Sequence, residues 1–179
     1  MMRRLVVPLV ISLAALGVVV APSADASTNC AVTWGSGPKT AGPSNSPQSH
    51  LVNVRTGRHT CFDRMVFDLD STASGYSVRY VTQVHTIAKG NVLPLAGGAR
   101  LEIVVRAPAY DDTGHATYPA VEGRRLPGVD LAGYRTFREA RYGGSFEGLT
   151  LVGLGVRARL PFRVSKLGNR VVLDVAHRW

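Results

Sequence analysis

Residues 55–84, RTGRHTCFDRMVFDLDSTASGYSVRYVTQV, decide the fold class of this chain. In the first half, Met65, Phe67 and Leu69 alternate with Arg64, Val66, Asp68 and Asp70. In the second, Tyr76, Val78, Tyr80 and Val84 take one face, and Ser77, Arg79 and Gln83 the other. Apolar residues at a period of two mark a half-buried strand. The turn-like residues 71–75 lie between the two halves, so the stretch predicts a hairpin or near-hairpin.

The same period recurs on both sides. Residues 51–55 read as a short strand, and RLEIVVRA puts Leu101, Ile103 and Val105 opposite Glu102 and Arg106. Residues 108–133 hold three prolines and little periodicity, which predicts one long irregular loop of the kind that is usually functional or mobile. GYRTFREARY fits a helix or a strand, and its β surroundings favour a strand. From Leu154 to Val164 every even position is apolar, and Arg157, Arg159 and Arg163 occupy odd ones. That pattern predicts one long strand with an outward arginine stripe. Gly168-Asn169 is a favoured two-residue hairpin turn. Closing on it pairs Leu167 with Arg170, Val164 with Leu173 and Phe162 with Val175, and sets Arg163 opposite Asp174. The expected fold is all-β: a β-sandwich of mainly antiparallel strands with the loop at 108–133.

The N-terminus carries Arg3 and Arg4, an apolar run over residues 5–20 and Ala24-Asp25-Ala26. This is the pattern of a secretory signal cut after Ala26. The run is short of the ~20 apolar residues of a span, so no membrane anchor is expected after cleavage. The expected parts are a signal at 1–26, a tethered segment and linker at 27–50, and one domain at 51–179. Loss of the leader takes the formal charge from +9 to +8, and the excess is almost all arginine. A basic exported protein accumulates on anionic polymers or is simply kept soluble. Cys30 and Cys61 in such a chain read as one disulfide. A zinc site lacks the tight ligand pairs it would need, even with His59 nearby.

No motif supplies a chemistry. GSGPKT lacks phosphate-loop spacing, and Asp111-Asp112-Thr113-Gly114 does not fit a calcium loop. The run 143–148 fails as a nucleophile elbow at Glu147. Gly153-Leu154-Gly155 opens a strand rather than the helix a dinucleotide loop needs. The five histidines show no ligand spacing, although His59 is close to Asp63. Asp68 and Asp70 could do acid–base work on glycosidic bonds, or serve as turn and ion-pair residues. No catalytic residue, metal or cofactor is assigned.

VRTGRHTCFDRMVFDLD with GYSVRYV, then LEIVVRAPAYDDTG, GYRTFREARYGGSFEG, GVRARLPFRV and RVVLDVAHRW, together resemble the AMIN-like domain proteins of actinomycete bacteria. The resemblance runs from about Cys30 to Trp179. It implies kinship with the AMIN domain, a β-sandwich that targets envelope proteins to peptidoglycan, and it carries over no catalytic residues. The chain lacks the lipobox of the family's lipoproteins. The expected function is a non-catalytic, exported or wall-associated module for peptidoglycan or an attached anionic polymer. No specific nucleic-acid partner is expected. The candidate contacts are Arg157, Arg159, Arg163, Arg79, Arg106, Tyr80 and Tyr110, since arginine forks suit carboxylates and phosphates. A solvated face with pairs such as Arg163–Asp174 is the competing reading of those arginines. Two other functions stay open: a small hydrolase using Asp68 or Asp70, and a partner binder or inhibitor presenting the 108–133 loop.

Overall fold

The computed structural model describes residues 30–43 and 48–179. The expected leader with its cut after Ala26, and residues 44–47 of the expected linker, lie outside the described residues. Among the described residues there are eleven strands and no helix. They are β1 (Lys39–Ala41), β2 (Leu51–Arg58), β3 (Phe62–Leu69), β4 (Tyr76–Val81), β5 (Val84–His85), β6 (Val92–Leu93), β7 (Ala99–Val105), β8 (Phe137–Phe146), β9 (Leu149–Val156), β10 (Phe162–Leu167) and β11 (Arg170–Ala176). One sheet has the order β1-β4-β7-β9-β8, the second β10-β11-β3-β2, and β5-β6 is a separate small ladder. Every pairing is antiparallel.

The core is the space between the two larger sheets. Met65, Phe67, Leu69, Phe162, Leu173 and Val175 meet Val78, Leu101, Ile103, Val152, Leu154 and Phe137, all but excluded from solvent. This is the all-β sandwich the alternation predicts. GYRTFREARY does feed a strand, β8, and the β10–β11 hairpin has the predicted register, including Phe162 opposite Val175 and Arg163 opposite Asp174. The disulfide joins Cys30 to Cys61, with Cα atoms 5.1 Å apart. The zinc alternative falls with it.

Three expectations are corrected. β3 and β4 are not a hairpin. β3 lies between β11 and β2, while β4 lies between β1 and β7 in the other sheet. Residues 70–75 carry the chain across the core's edge, with Ala73 buried and its N–H donating to the Gly168 carbonyl. A period of two is the same whether the partner face lies beside a strand or across the core. Residues 154–164 are not one strand. β9 ends at Val156 and β10 begins at Phe162 in the opposite sheet. The alternation survives the corner because Leu160 still points into the core, and Ala158 packs against it. Finally, residues 39–41 of the expected linker form β1, an edge strand paired to β4.

The glycines of β9 also have a packing reason. β9 is buried on both faces. Val152 and Leu154 face the core, while Leu151 joins Val84, Leu93 and Leu95 under the β5–β6 ladder. A Cβ on Gly155 would collide with the Ala96 carbonyl, whereas one on Gly153 would meet the side-chain ends of Leu93 and Leu95, each at 2.8 Å. Backbone cannot yield as methyl groups can. Gly155→Ala is therefore expected to cost about 1–3 kcal/mol, and Gly153→Ala less, in urea melts of the two variants. Equal losses would contradict this packing.

Candidate functional site

The strand registers bring one set of loops to one end of the sandwich. Arg58 pairs with Asp63 and Phe62 with Ala176, so the β2–β3 turn lies beside the segment after β11. Ala99 and Phe137 both pair with Val156, and Val81 with Arg100, which collects the corresponding ends of β4, β7, β8 and β9. The two sheets are joined there. The Thr136 hydroxyl donates to the Ala176 carbonyl at 3.1 Å, and Arg157 Nη2 donates to the His177 carbonyl. The disulfide fastens Cys30 to the same end.

A buried, hydrogen-bonded aspartate–histidine pair sits under this end. Asp63 is fully excluded from solvent. Its Oδ2 accepts from the N–H groups of Thr136 (2.6 Å) and Phe137 (3.1 Å). Its Oδ1 is 3.0 Å from His177 Nε2, and His177 Nδ1 is 3.2 Å from the Thr60 carbonyl. Both ring nitrogens face acceptor oxygens. The pair acts as a clamp between β3, β8 and the segment after β11. His59 is not the partner of Asp63; its ring stacks on Phe62 with centroids 4.4 Å apart.

Above the clamp lies a cleft of about 420 Å³ lined by Arg58, His59, Thr60, Gly133, Arg135 and the Asp63–His177 pair. Gly133 has φ +74°, and Arg58 Nη1 stands 3.0 Å from where its Cβ would be. A left-handed glycine is what permits that approach. Neither Arg58 nor Arg135 has a side-chain hydrogen bond or ion pair among the described residues. In residues 58–61, 81–83, 97–100, 131–136, 157–161 and 177–179 there are six arginines and no aspartate or glutamate. They are Arg58, Arg100, Arg135, Arg157, Arg159 and Arg178.

The candidate contacts read from sequence do not form one face. Arg157 and Arg159 belong to the basic end. Arg159 donates to Ser36 and lies over the Tyr80 ring at 5.1 Å. Tyr80 faces inward, its hydroxyl donating to the Leu160 carbonyl and accepting from the Leu160 N–H. Arg163 lies on the outer face of the four-stranded sheet, bound to Asp174 at 2.9 Å and covering Trp34 at 4.4 Å. Arg64 takes the other oxygen of Asp174 at 2.6 Å. Arg79 is on the other sheet, paired with Glu102. Arg106 follows β7 at the opposite end, and Tyr110 bridges to Ala116 within the long loop. That loop turns inward, burying Tyr118 and Leu126. Asp68 is held by Arg55 and Arg170, and Asp70 by the His50 N–H and ring. Asp111 caps its own turn through the N–H groups of Thr113 and His115. Among the described residues no cluster of three ligating side chains could hold a metal.

A second cavity, lined by Arg125, Leu131, Arg138 and Glu139, has the opposite character. Glu139 accepts from the Ala96 N–H at 2.9 Å and from Arg141 and Arg125. Burial, the largest single influence, pushes the Glu139 carboxyl up, but those three donors together outweigh it and hold the pKa below the ordinary 4.5. Burial likewise raises the Asp70 carboxyl, and the His50 N–H and ring outweigh it, leaving it lowered. A carboxyl depressed by folding stabilises the fold above its unfolded pKa and loses that contribution as pH falls through the folded value. The melting temperature should therefore hold from pH 7 to 5 and fall below about 4.5. Glu139→Gln should flatten that fall; an acid limb of unchanged slope would contradict the assignment.

The family model of the AMIN-like domain matches residues 49–177. The chain belongs to the AMIN-like family. No curated protein and no solved structure matches it. The AMIN-like match contains both members of the clamp and both cleft arginines, Arg58 and Arg135. It begins after Cys30 and β1, so the disulfide and the fifth strand of the larger sheet extend the matched domain.

Proposed function

We propose that this AMIN-like chain is an exported, non-catalytic module that binds the cell wall, through peptidoglycan or an anionic polymer attached to it. The leader at 1–26 delivers it, and the mature protein begins at Ser27. Family membership supports the cell-wall reading. The observation that carries the mode of binding is the collection of six arginines, Arg58, Arg100, Arg135, Arg157, Arg159 and Arg178, at one end of the sandwich. Seven arginines elsewhere, Arg55, Arg64, Arg79, Arg125, Arg141, Arg163 and Arg170, are ion-paired with carboxylates. Contact through the end replaces contact through a sheet face. Arg157 and Arg159 stay within the proposed surface, while Arg79, Arg106, Arg163 and Tyr110 leave it.

Co-sedimentation of the mature protein with purified sacculi, before and after stripping of attached anionic polymers, tests this. Exposed charges are screened over about 8–10 Å at physiological salt. Binding should weaken across a salt series and drop when the polymers are stripped. Salt-insensitive binding would remove the basic end as the contact. No binding to either preparation would remove the wall.

A further inference from the structure

We propose that the cleft between Arg58 and Arg135 is a subsite for a single phosphate group, filled in its natural setting by a phosphodiester of a polyol-phosphate wall polymer. The natural source rests on the wall-binding reading above; the phosphate site itself rests on the geometry of the cleft.

Two guanidiniums reach one cavity from different elements, the end of β2 and the segment before β8. Seven arginines elsewhere are matched to carboxylates, and these two are not. A buried carboxylate beneath them would ordinarily repel an anion. Both oxygens of Asp63 are already engaged: two N–H groups take one and the His177 ring the other. The walls are fixed before any ligand arrives. The His59 N–H donates to the Phe62 carbonyl at 3.0 Å, closing the β2–β3 turn, and the disulfide tethers that turn at Cys61. A fixed turn backbone lowers the ordering cost of binding.

The arrangement selects phosphate over carboxylate. The two oxygens of a carboxylate lie in one plane and suit a single guanidinium fork. The two non-bridging oxygens of a phosphodiester diverge from a tetrahedral centre, so each can accept from a different arginine. The cleft, at about 420 Å³, has room for the group and the polyol carbons on either side of it.

Titration of the isotope-labelled mature chain tests this by amide and arginine Nε–H shifts. The probes are inorganic phosphate, a short glycerol-phosphate oligomer and sodium acetate at matched ionic strength. Phosphate and the oligomer should both shift His59, Thr60, Gly133 and the side chains of Arg58 and Arg135, and acetate should not. Arg58→Gln and Arg135→Gln should each weaken phosphate binding on the order of tenfold, the loss of one charge-assisted contact. Arg55→Gln, which removes the same charge from a sheet face, should leave binding unchanged. Melting curves check that each variant is folded. Equal shifts with acetate, or wild-type affinity in both cleft variants, would overturn the subsite. Binding of phosphate without the oligomer would overturn the polymer as its source. If the double variant Arg58→Gln/Arg135→Gln loses phosphate binding yet sediments with sacculi as wild type does, the wall polymer fails as the natural source of the phosphate and the wall reading stands. If the wild type binds phosphate but not sacculi, the wall reading fails and the subsite stands.

Discussion

Asp63→Ala is expected to lower the melting temperature by roughly 10–20 °C, the largest single-residue effect in this molecule outside the apolar core. Truncation leaves the N–H groups of Thr136 and Phe137 and the Nε2 of His177 without an acceptor, in a site closed to water. Each orphaned buried group costs about 1–3 kcal/mol, and three are left. A domain of this size has only about 5–15 kcal/mol in total. Asp63→Asn keeps the shape and one acceptor oxygen for the Thr136 and Phe137 N–H groups, so it should retain part of the loss. Thermal melts of both variants decide it. An Asp63→Ala protein within about 3 °C of wild type would show that the clamp does not hold the end together.

Loss of the Cys30–Cys61 bond has the second-largest expected effect. The bond closes a loop of sequence separation 31. In the chain-entropy model that stabilises by roughly 3–4 kcal/mol. The local consequence is specific. The Thr60 carbonyl, next to Cys61, accepts from the His177 ring, and the Gly35 carbonyl accepts from the Phe162 N–H. Releasing Cys30 loosens both the clamp and the N-terminal edge strand. The Cys30→Ser/Cys61→Ser variant should unfold at a clearly lower urea concentration with an unchanged slope. Its residues 39–41 should exchange amide hydrogens faster. Because the AMIN-like match begins at residue 49, the same measurement tests whether Cys30 and β1 belong to the folded unit. Wild-type stability in the variant would show that they do not.

Much of the fold is written in parity. Closing on Gly168-Asn169 as a two-residue turn makes the apolar sets on the two sides coincide, and that register is found. Parity reports which side of a strand is buried, not what buries it. For this reason the β3-to-β4 link reads as a hairpin and is a sheet crossing, and the run through Leu160 reads as one strand and is a corner. The glycines at 153 and 155 mark a face covered by the β5–β6 ladder, which an alternation with small residues does not distinguish from a solvated face.

The candidate site was legible in part. Arg157 and Arg159 read as binding residues and lie at the basic end. The clamp does leave a signal in the sequence. Asp63 is in phase with Met65, Phe67 and Leu69, and His177 is in phase with Val171, Leu173 and Val175. Two titratable residues on the apolar phase of paired strands imply a buried polar pair, because a lone buried charge is too costly. The cleft left no such signal. Arg58 and Arg135 look like every other arginine in a basic chain; what sets them apart is that folding brings both to one cleft.

The central claim is that the basic end, rather than either sheet face, meets the wall. Mapping the amide shifts of the labelled mature chain with soluble wall fragments that still carry their anionic polymer tests it most directly. Shifts are expected in residues 58–61, 98–100, 133–136, 157–161 and 177–179, with Arg79 and Arg163 and their strands unmoved. Shifts centred on Arg79 or Arg163, with the loops of that end silent, would contradict it.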